Sequence, residues 1–216
     1  MSQWLASSCG RSTEGGKNKL GGSIISPYHI LTAAHGFVKF NTFHTAPLYV
    51  DSDFASTGCI GGHDWAIVEL EKPLTFDANI QPICLPFINQ PINPLFTVYS
   101  WGKRDIFYES DPIIHEITMA HDPKCHPPWS DTMPSKMPDY ICGKSLNPRS
   151  PTSLRTCHGD SGAGLEQRDA YGVATIIGIT SFGSKGCPAN ELARFTRVSK
   201  YLNSICEFTG VCYTIK

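Results

Sequence analysis

Short apolar runs separated by turn-forming residues most restrict the fold of this 216-residue chain. Each run has the length of a β-strand. Helical periodicity is weak except near residues 122–133, where prolines limit it, and at 199–208. The pattern predicts an antiparallel all-β protein with one short helix and one C-terminal helix. The predicted strands are 23–25, 29–33, 65–70, 96–100, 173–181 and 192–198.

A proline-rich segment divides the chain. The stretch IQPICLPFINQPINP ends at Pro94 and contains four prolines. Proline has no backbone N–H to donate, so this stretch cannot be a central strand. We expect a linker at 87–95 between a first β unit at 1–86 and a second at 96–216.

The charge balance excludes several classes of partner. Lys and Arg total 18 against 19 Asp and Glu, for a net charge of -1. There is no basic field to hold nucleic acid or an anionic membrane surface. The apolar runs are far shorter than the ~18 residues of a membrane-spanning helix. The start, MSQWLASSCG, has no basic or apolar region of a signal peptide, so we expect an upstream segment to be missing.

Nine cysteines occur without a C-x-x-C pair. This usage favours disulfides and an oxidising compartment over a zinc site. The histidines outside the candidate site show no metal-ligand spacing, so we expect no metal and no cofactor. These histidines are His44, His63, His115, His121 and His126.

Three residues form a candidate catalytic set. His35 follows the apolar run HILTAA, Asp64 precedes WAIVEL, and Ser161 lies in GDSG near Cys157. A serine nucleophile needs a base for its hydroxyl proton and a carboxylate to orient that base. Each residue alone is a weak signal, but all three lie beside predicted strands.

The ordered segments GGSIISPYHILTAAH, DWAIVEL, ICLP, SWG, CHGDSGAGL, SFGSKGC and FTRVSKYL resemble the chymotrypsin/trypsin-like serine proteases. The order His, Asp, Ser differs from that of α/β-hydrolases and subtilisin-like enzymes. The resemblance implies two packed six-stranded antiparallel β-barrels with the active site between them. His35 and Asp64 are only 29 residues apart, so we expect a shortened first barrel.

The resemblance also implies residue roles. Ser161 would be the nucleophile, His35 the general base and Asp64 the orienting carboxylate. The backbone N–H groups of Gly159 and Ser161 would form the oxyanion hole. The residues expected to contact substrate are Arg155, Thr156, His158, Ser181, Phe182, Gly183 and Ala193.

The specificity pocket departs from the trypsin pattern. The resemblance places Arg155 on the pocket floor, where it would exclude Lys or Arg before the scissile bond. Arg155 either favours an acidic residue there or pairs with Glu191 and fills the pocket. Ala193 would narrow the pocket.

The resemblance implies two disulfides, Cys125–Cys142 and Cys157–Cys187. It leaves open the pairing of Cys9, Cys59, Cys84, Cys206 and Cys212.

The last expectation concerns how the chain would be activated. Activated relatives bury an N-terminal ammonium against the position of Asp160, and no activation motif precedes Gln3. We therefore expect a disordered or zymogen-like oxyanion loop. The leading hypothesis is a secreted, monomeric serine endopeptidase acting on proteins or peptides. The alternative is an inactive homologue that binds proteins through the retained cleft.

Overall fold

A computed structural model describes residues 20–38, 48–57, 59, 61–104, 113–125, 139–184 and 186–213. Within these ranges strands lie at all six predicted positions, and four further strands are present. The strands are β1 Ser23–Ile24, β2 His29–Thr32, β3 Leu48–Val50, β4 Ala66–Glu69, β5 Leu95–Ser100, β6 His115–His121, β7 Tyr140–Ser145, β8 Gly164–Arg168, β9 Ala174–Gly183 and β10 Ala193–Arg197. The α-helices are α1 His35–Val38, α2 Ser52–Ser56 and α3 Leu202–Thr209.

The second half of the chain forms a closed antiparallel barrel of six strands, in the order β10-β7-β6-β5-β8-β9. Alternate residues of β5, β6 and β8 are buried, as a pleated strand with one buried face requires, whereas β7, β9 and β10 are buried along most of their length. Phe96, Met119 and Phe195 are buried in the barrel interior. The prediction of a second six-stranded barrel is confirmed.

The first half contributes an antiparallel sheet in the order β1-β2-β4-β3. Its central pair aligns Leu31 with Ile67, and both side chains are buried. Within the described residues this sheet has four strands and does not close. Residues 1–19 and 39–47 of the first half lie outside the described ranges, so the expected six-stranded first barrel stays a prediction. The predicted short helix likewise falls mostly on 126–138, outside them.

The proline-rich connection contains no helix or strand between residues 70 and 94, all of which are described. Its main pairing is a single parallel bridge between Cys84 and Thr175. The buried amide of Gln167 in β8 fixes the end of this segment: it donates to Pro91 O at 2.9 Å and accepts from Asn93 N at 2.9 Å. The domain division at 87–95 stays a prediction.

Helix α3 closes the core between the two halves. Leu202 and Ile205 pack in one cluster with Leu31 and Trp65 of the first half and Ile176 of the second. The helix ends at Gly210, whose φ of 70° suits a glycine C-cap. The predicted C-terminal helix is confirmed. In the part of the chain that the structure describes, no helix has the length and apolar character to cross a bilayer.

The cysteine pairing agrees with the two bridges implied by the resemblance. Cys125 is bonded to Cys142, and Cys157 to Cys187. A third bridge, Cys206–Cys212, joins α3 to the segment that follows it. Cys59 is also disulfide-bonded, whereas Cys84 is exposed and free.

A backbone junction joins the two halves beside Ser161. Gly21 N donates to Ser161 O at 2.7 Å, and Thr32 Oγ1 donates to Gly21 O at 2.6 Å. Gly162 makes this approach possible because it has a φ of +80° and no side chain. A Cβ there would clash with both Gly21 O and Thr32 Oγ1.

We expect Gly162→Ala to lower the free energy of unfolding by about 2–5 kcal/mol, from backbone strain and overpacking together. Gly172→Ala is a matched control, since Gly172 has the same φ of +80° with nothing within 4 Å of its virtual Cβ. It should lose only about 1–2 kcal/mol. Equal losses in urea unfolding would show that the junction tolerates a methyl group.

Candidate active site

His35 and Asp64 are in direct contact despite the short segment between them. His35 begins α1 just after β2, and Asp64 lies two residues before β4, which pairs with β2. His35 Nδ1 is 2.7 Å from Asp64 Oδ2, and His35 N donates to Asp64 Oδ1 at 2.8 Å. A carboxylate only accepts, so Nδ1 carries the proton. In its neutral form the ring presents Nε2 as a base.

Asp64 is wholly buried, and donors from both halves surround it. Ser181 Oγ in β9 donates a short hydrogen bond to Asp64 Oδ2, and Thr196 Oγ1 in β10 donates to Asp64 O at 3.0 Å. Burial alone would raise the pKa of Asp64. The charge and hydrogen bonds of His35, with the bond from Ser181, outweigh burial and lower that pKa. Asp64 is therefore held ionised.

The end of β9 lines the same site. The Phe182 ring lies 5.8 Å from the His35 ring, centre to centre. Ser181 is buried and Gly183 is exposed. Within the described residues β8 pairs with β9 only as far as Ile179, while β10 pairs with it through Gly183. Residues 181–183 therefore extend β9 beyond its pairing with β8.

Ser161 lies in a tight turn between Asp160 and β8. Its side chain is half-buried, and its carbonyl accepts from Gly21 N. Gly159 has a φ of +95°, a conformation that favours glycine. The turn closes with Ala163 N donating to Asp160 O at 3.0 Å. The sequence expectation of glycine at 159 therefore has a conformational reason.

Asp160 is fully buried beneath this turn. Its carboxylate accepts from Gly102 N at 2.9 Å and Cys157 N at 2.8 Å, and from the Ser100 hydroxyl. Burial raises its pKa, and these bonds together with the charge of His115 partly oppose the rise. We expected a disordered or zymogen-like loop. The described residues of the loop form a defined turn in which protein donors satisfy the aspartate, and the zymogen-like arrangement stays a prediction.

Arg155 is 2% exposed. Its Nη2 donates to Ser184 O at 2.9 Å and its Nη1 to Leu192 O at 3.3 Å. Its Nε is buried without a hydrogen-bond partner in the structure. Burial lowers the pKa of Arg155 to about 10, with Glu191 opposing and Arg194 adding to the shift. The guanidinium still carries its charge at neutral pH.

Glu191 does not form the direct pair with Arg155 that the sequence left open. Glu191 Oε2 accepts from Ser184 Oγ at 3.0 Å, and no ion pair within 4.0 Å joins these two described residues. Ser184 lies between them, with its carbonyl towards Arg155 and its hydroxyl towards Glu191.

The other expected substrate contacts differ in their access to solvent. Thr156 is buried beside Arg155, and His158 is exposed while its carbonyl accepts from Lys103 N at 2.8 Å. Ala193 is fully buried and pairs with Gly183 across the β9–β10 ladder. Only His158 among these three presents its side chain openly to solvent.

Sequence analysis missed a cluster behind Asp64, formed by Asp51, Asp53 and His63. Their ligand atoms lie within 4.8 Å of one another and could hold a divalent cation. Asp51 Oδ2, however, already accepts from Trp65 Nε1 at 2.7 Å, and His63 Nδ1 is 3.3 Å from it. The cluster therefore anchors Trp65 and His63 on either side of Asp64. Only the position of His63 next to Asp64 could have indicated it.

We expect Ser181→Ala to lower the free energy of unfolding at pH 7 by about 1.5–3 kcal/mol, because Asp64 loses a hydrogen bond to its charged form. The pKa of Asp64 is lower in the folded chain than its ordinary value. Its contribution to the free energy of unfolding is therefore complete above the ordinary pKa and disappears as the pH falls through the folded pKa. In Ser181→Ala the pKa of Asp64 in the folded chain rises. The free energies of unfolding of the variant and of the unaltered chain should therefore become equal in acid. Ser56→Ala, an exposed serine, should change stability by no more than about 0.5 kcal/mol. A loss that persists below the folded pKa would contradict this account.

Comparison with known proteins identifies the family to which the chain belongs. The sequence profile of the trypsin family matches residues 4–205. The chain is 28% identical to CLIP domain-containing serine protease B15 of Anopheles gambiae, over 86% of this chain and 60% of the relative. It is 27% identical to clotting factor G beta subunit of Tachypleus tridentatus, over 88% of this chain and 70% of that protein. It is 26% identical to transmembrane protease serine 11C of Mus musculus, over 90% of this chain and 48% of that protein. The alignments thus span about half to seven-tenths of these relatives, and the chain belongs to the trypsin family of serine proteases.

Proposed function

We propose that this chain is a serine endopeptidase in which Ser161, His35 and Asp64 act as the catalytic triad. The observation that carries the proposal is the buried His35–Asp64 contact, with Nδ1 2.7 Å from Oδ2. That contact fixes the histidine tautomer and leaves Nε2 as the base. The junction from Thr32 through Gly21 to Ser161 supports the placement of the serine beside the histidine's strand.

In the proposed reaction, Ser161 Oγ attacks the carbonyl carbon of the scissile peptide bond while His35 Nε2 takes the hydroxyl proton. The same nitrogen returns the proton to the departing amine, and an acyl ester remains on Ser161. A water molecule then attacks the ester, again through His35, and releases the new carboxyl group. The ionised Asp64 stabilises the histidine cation that forms in each half-reaction.

The backbone N–H groups of Gly159 and Ser161 form the proposed oxyanion hole. Such donors stabilise the developing oxyanion, and loss of one typically costs about 10²–10³ in rate. The positive φ of Gly159 supports a turn that can aim both amides in one direction. Residues 181–183 would pair with the backbone of an extended peptide substrate, as the resemblance to the family implies.

The proposed substrates are proteins or peptides outside the cell. The three described disulfide pairs support an oxidising compartment. Thr156 and Ala193 would border the pocket for the residue before the scissile bond. His158 would contact the leaving-group side, where its exposed ring is accessible.

A fluorophosphonate that reacts with activated serines tests the triad. We expect one label per chain, located on Ser161 by mass spectrometry, because the proposed triad activates this hydroxyl. Ser161→Ala should abolish labelling. His35→Ala should slow it by about 10³-fold or more, since the base is lost. Ser150→Ala removes a hydroxyl distant from the site and should label as the unaltered chain does.

Absence of labelling in a folded chain would refute the proposal and favour the inactive, protein-binding homologue. Circular dichroism and a cooperative thermal transition establish that each variant is folded. Labelling that persists in Ser161→Ala would place the reactive serine elsewhere.

A further inference from the structure

Asp139, in the turn before β7, contacts the backbone just before Asp64. Its side chain is buried. Asp139 Oδ2 accepts from His63 N at 2.9 Å and from the Tyr201 hydroxyl at 2.8 Å. The same His63 N–H is also within hydrogen-bond distance of the Tyr201 oxygen, at 3.1 Å. A carboxylate and a phenol of the second half thus hold the amide of the residue that precedes Asp64.

The backbone held in this way has an unfavourable conformation. Gly62 has a φ of 86° and His63 a φ of 62°. This left-handed region is disfavoured for a residue with a side chain, because its Cβ comes close to the following carbonyl oxygen. Two hydrogen bonds hold His63 in it: its N–H donates to Asp139, and its carbonyl accepts from Trp65 N at 2.8 Å. Strain of this kind persists only where the surroundings support it.

The Asp139 carboxylate packs closely against this turn. A Cβ on Gly62 would lie 2.5 Å from Asp139 Oδ2 and 2.6 Å from Oδ1. Burial and the charge of Asp139 raise the pKa of Tyr201, so its hydroxyl keeps the proton that it donates. The Tyr201 ring lies 5.4 Å from the His63 ring, centre to centre. Carboxylate, phenol and turn therefore form one packed unit next to Asp64.

The direction of Asp64 depends on the conformation of this turn. The bond to Asp139 fixes the peptide between Gly62 and His63, and the positive φ of His63 then sets the direction in which the chain enters Asp64. The Asp64 carboxylate reaches His35 Nδ1 at 2.7 Å from there. A carboxylate that leaves Nδ1 no longer holds the imidazole in the tautomer and orientation that catalysis needs.

We propose that Asp139 is a positioning residue for the triad: by holding the His63 amide, it keeps the Asp64 carboxylate on His35 Nδ1. The effect on reaction rate rests on the proposed peptidase function, whereas the effect on the His35–Asp64 contact does not. Asp139 lies outside the motif segments of the sequence.

The test uses two readouts. In a chain labelled with ¹⁵N-histidine, the His35 Nδ1 proton gives a far-downfield NMR resonance while it is hydrogen-bonded to Asp64. The rate of fluorophosphonate labelling of Ser161 is the second readout. Asp139→Ala should shift or broaden the resonance and slow labelling by about 10- to 100-fold, because the carboxylate is displaced. Asp139→Asn keeps an oxygen for the His63 amide and should restore most of both.

Asp122 offers a matched control. Its Oδ1 accepts from two backbone amides of its own turn, Lys124 N at 3.0 Å and Cys125 N at 3.1 Å. Asp122→Ala should lower the urea midpoint and leave the resonance and the labelling rate unchanged. A milder variant, Tyr201→Phe, removes only the hydroxyl that donates to Asp139. It should change both readouts in the same direction as Asp139→Ala, but less.

An unchanged resonance or an unchanged labelling rate in folded Asp139→Ala would overturn the inference, and so would equal effects of Asp122→Ala. If Asp139→Ala does not fold, Tyr201→Phe decides, and readouts identical to those of the unaltered chain refute the positioning role. If the unaltered chain does not react with fluorophosphonate, the proposed function fails. The resonance alone then decides whether Asp139 holds Asp64 against His35.

Discussion

The fully buried carboxylate of Asp64 is the constraint on which the rest of the structure depends. A charge without contact to water must be satisfied by protein donors, and loss of one partner of a buried ion pair typically costs about 3–5 kcal/mol. The first half supplies His35, while the second supplies Ser181 to the carboxylate and Thr196 to the carbonyl. Docking of the two halves and assembly of the site are therefore one event, and the apolar cluster around Trp65 reinforces both.

Strand prediction succeeded where apolar runs are dense and failed where buried positions carry polar or small residues. The missed strand β8 reads GLEQR, and its buried Gln167 is needed to bind the backbone of the proline-rich segment. The missed β7 is buried at five of six positions and includes Gly143, so it shows no alternation. β3 spans only three residues. Tertiary contacts, and not local pattern, determine these strands.

Motif order was enough to place His35 near Asp64, because the strands adjacent to the two residues, β2 and β4, pair directly. The pocket was less predictable. The resemblance placed Arg155 and Glu191 in one region, but it could not reveal that Ser184 separates them. The role of Asp51 was also hidden, since its main partner is the indole N–H of Trp65 and no sequence rule links the two. Long-range side-chain hydrogen bonds decide such details.

The position of Ser184 between a guanidinium and a carboxylate has an evolutionary consequence. Its carbonyl accepts from Arg155 and its hydroxyl donates to Glu191, so one residue hydrogen-bonds to two groups of opposite charge. Residues that share a partner have coupled mutational effects, commonly 0.5–3 kcal/mol. Substitutions at positions 155, 184 and 191 are therefore expected to have coupled effects on stability. A lineage that reverses the charge at 155 is under selection to alter 184 and 191 as well, and single steps pass through less stable intermediates.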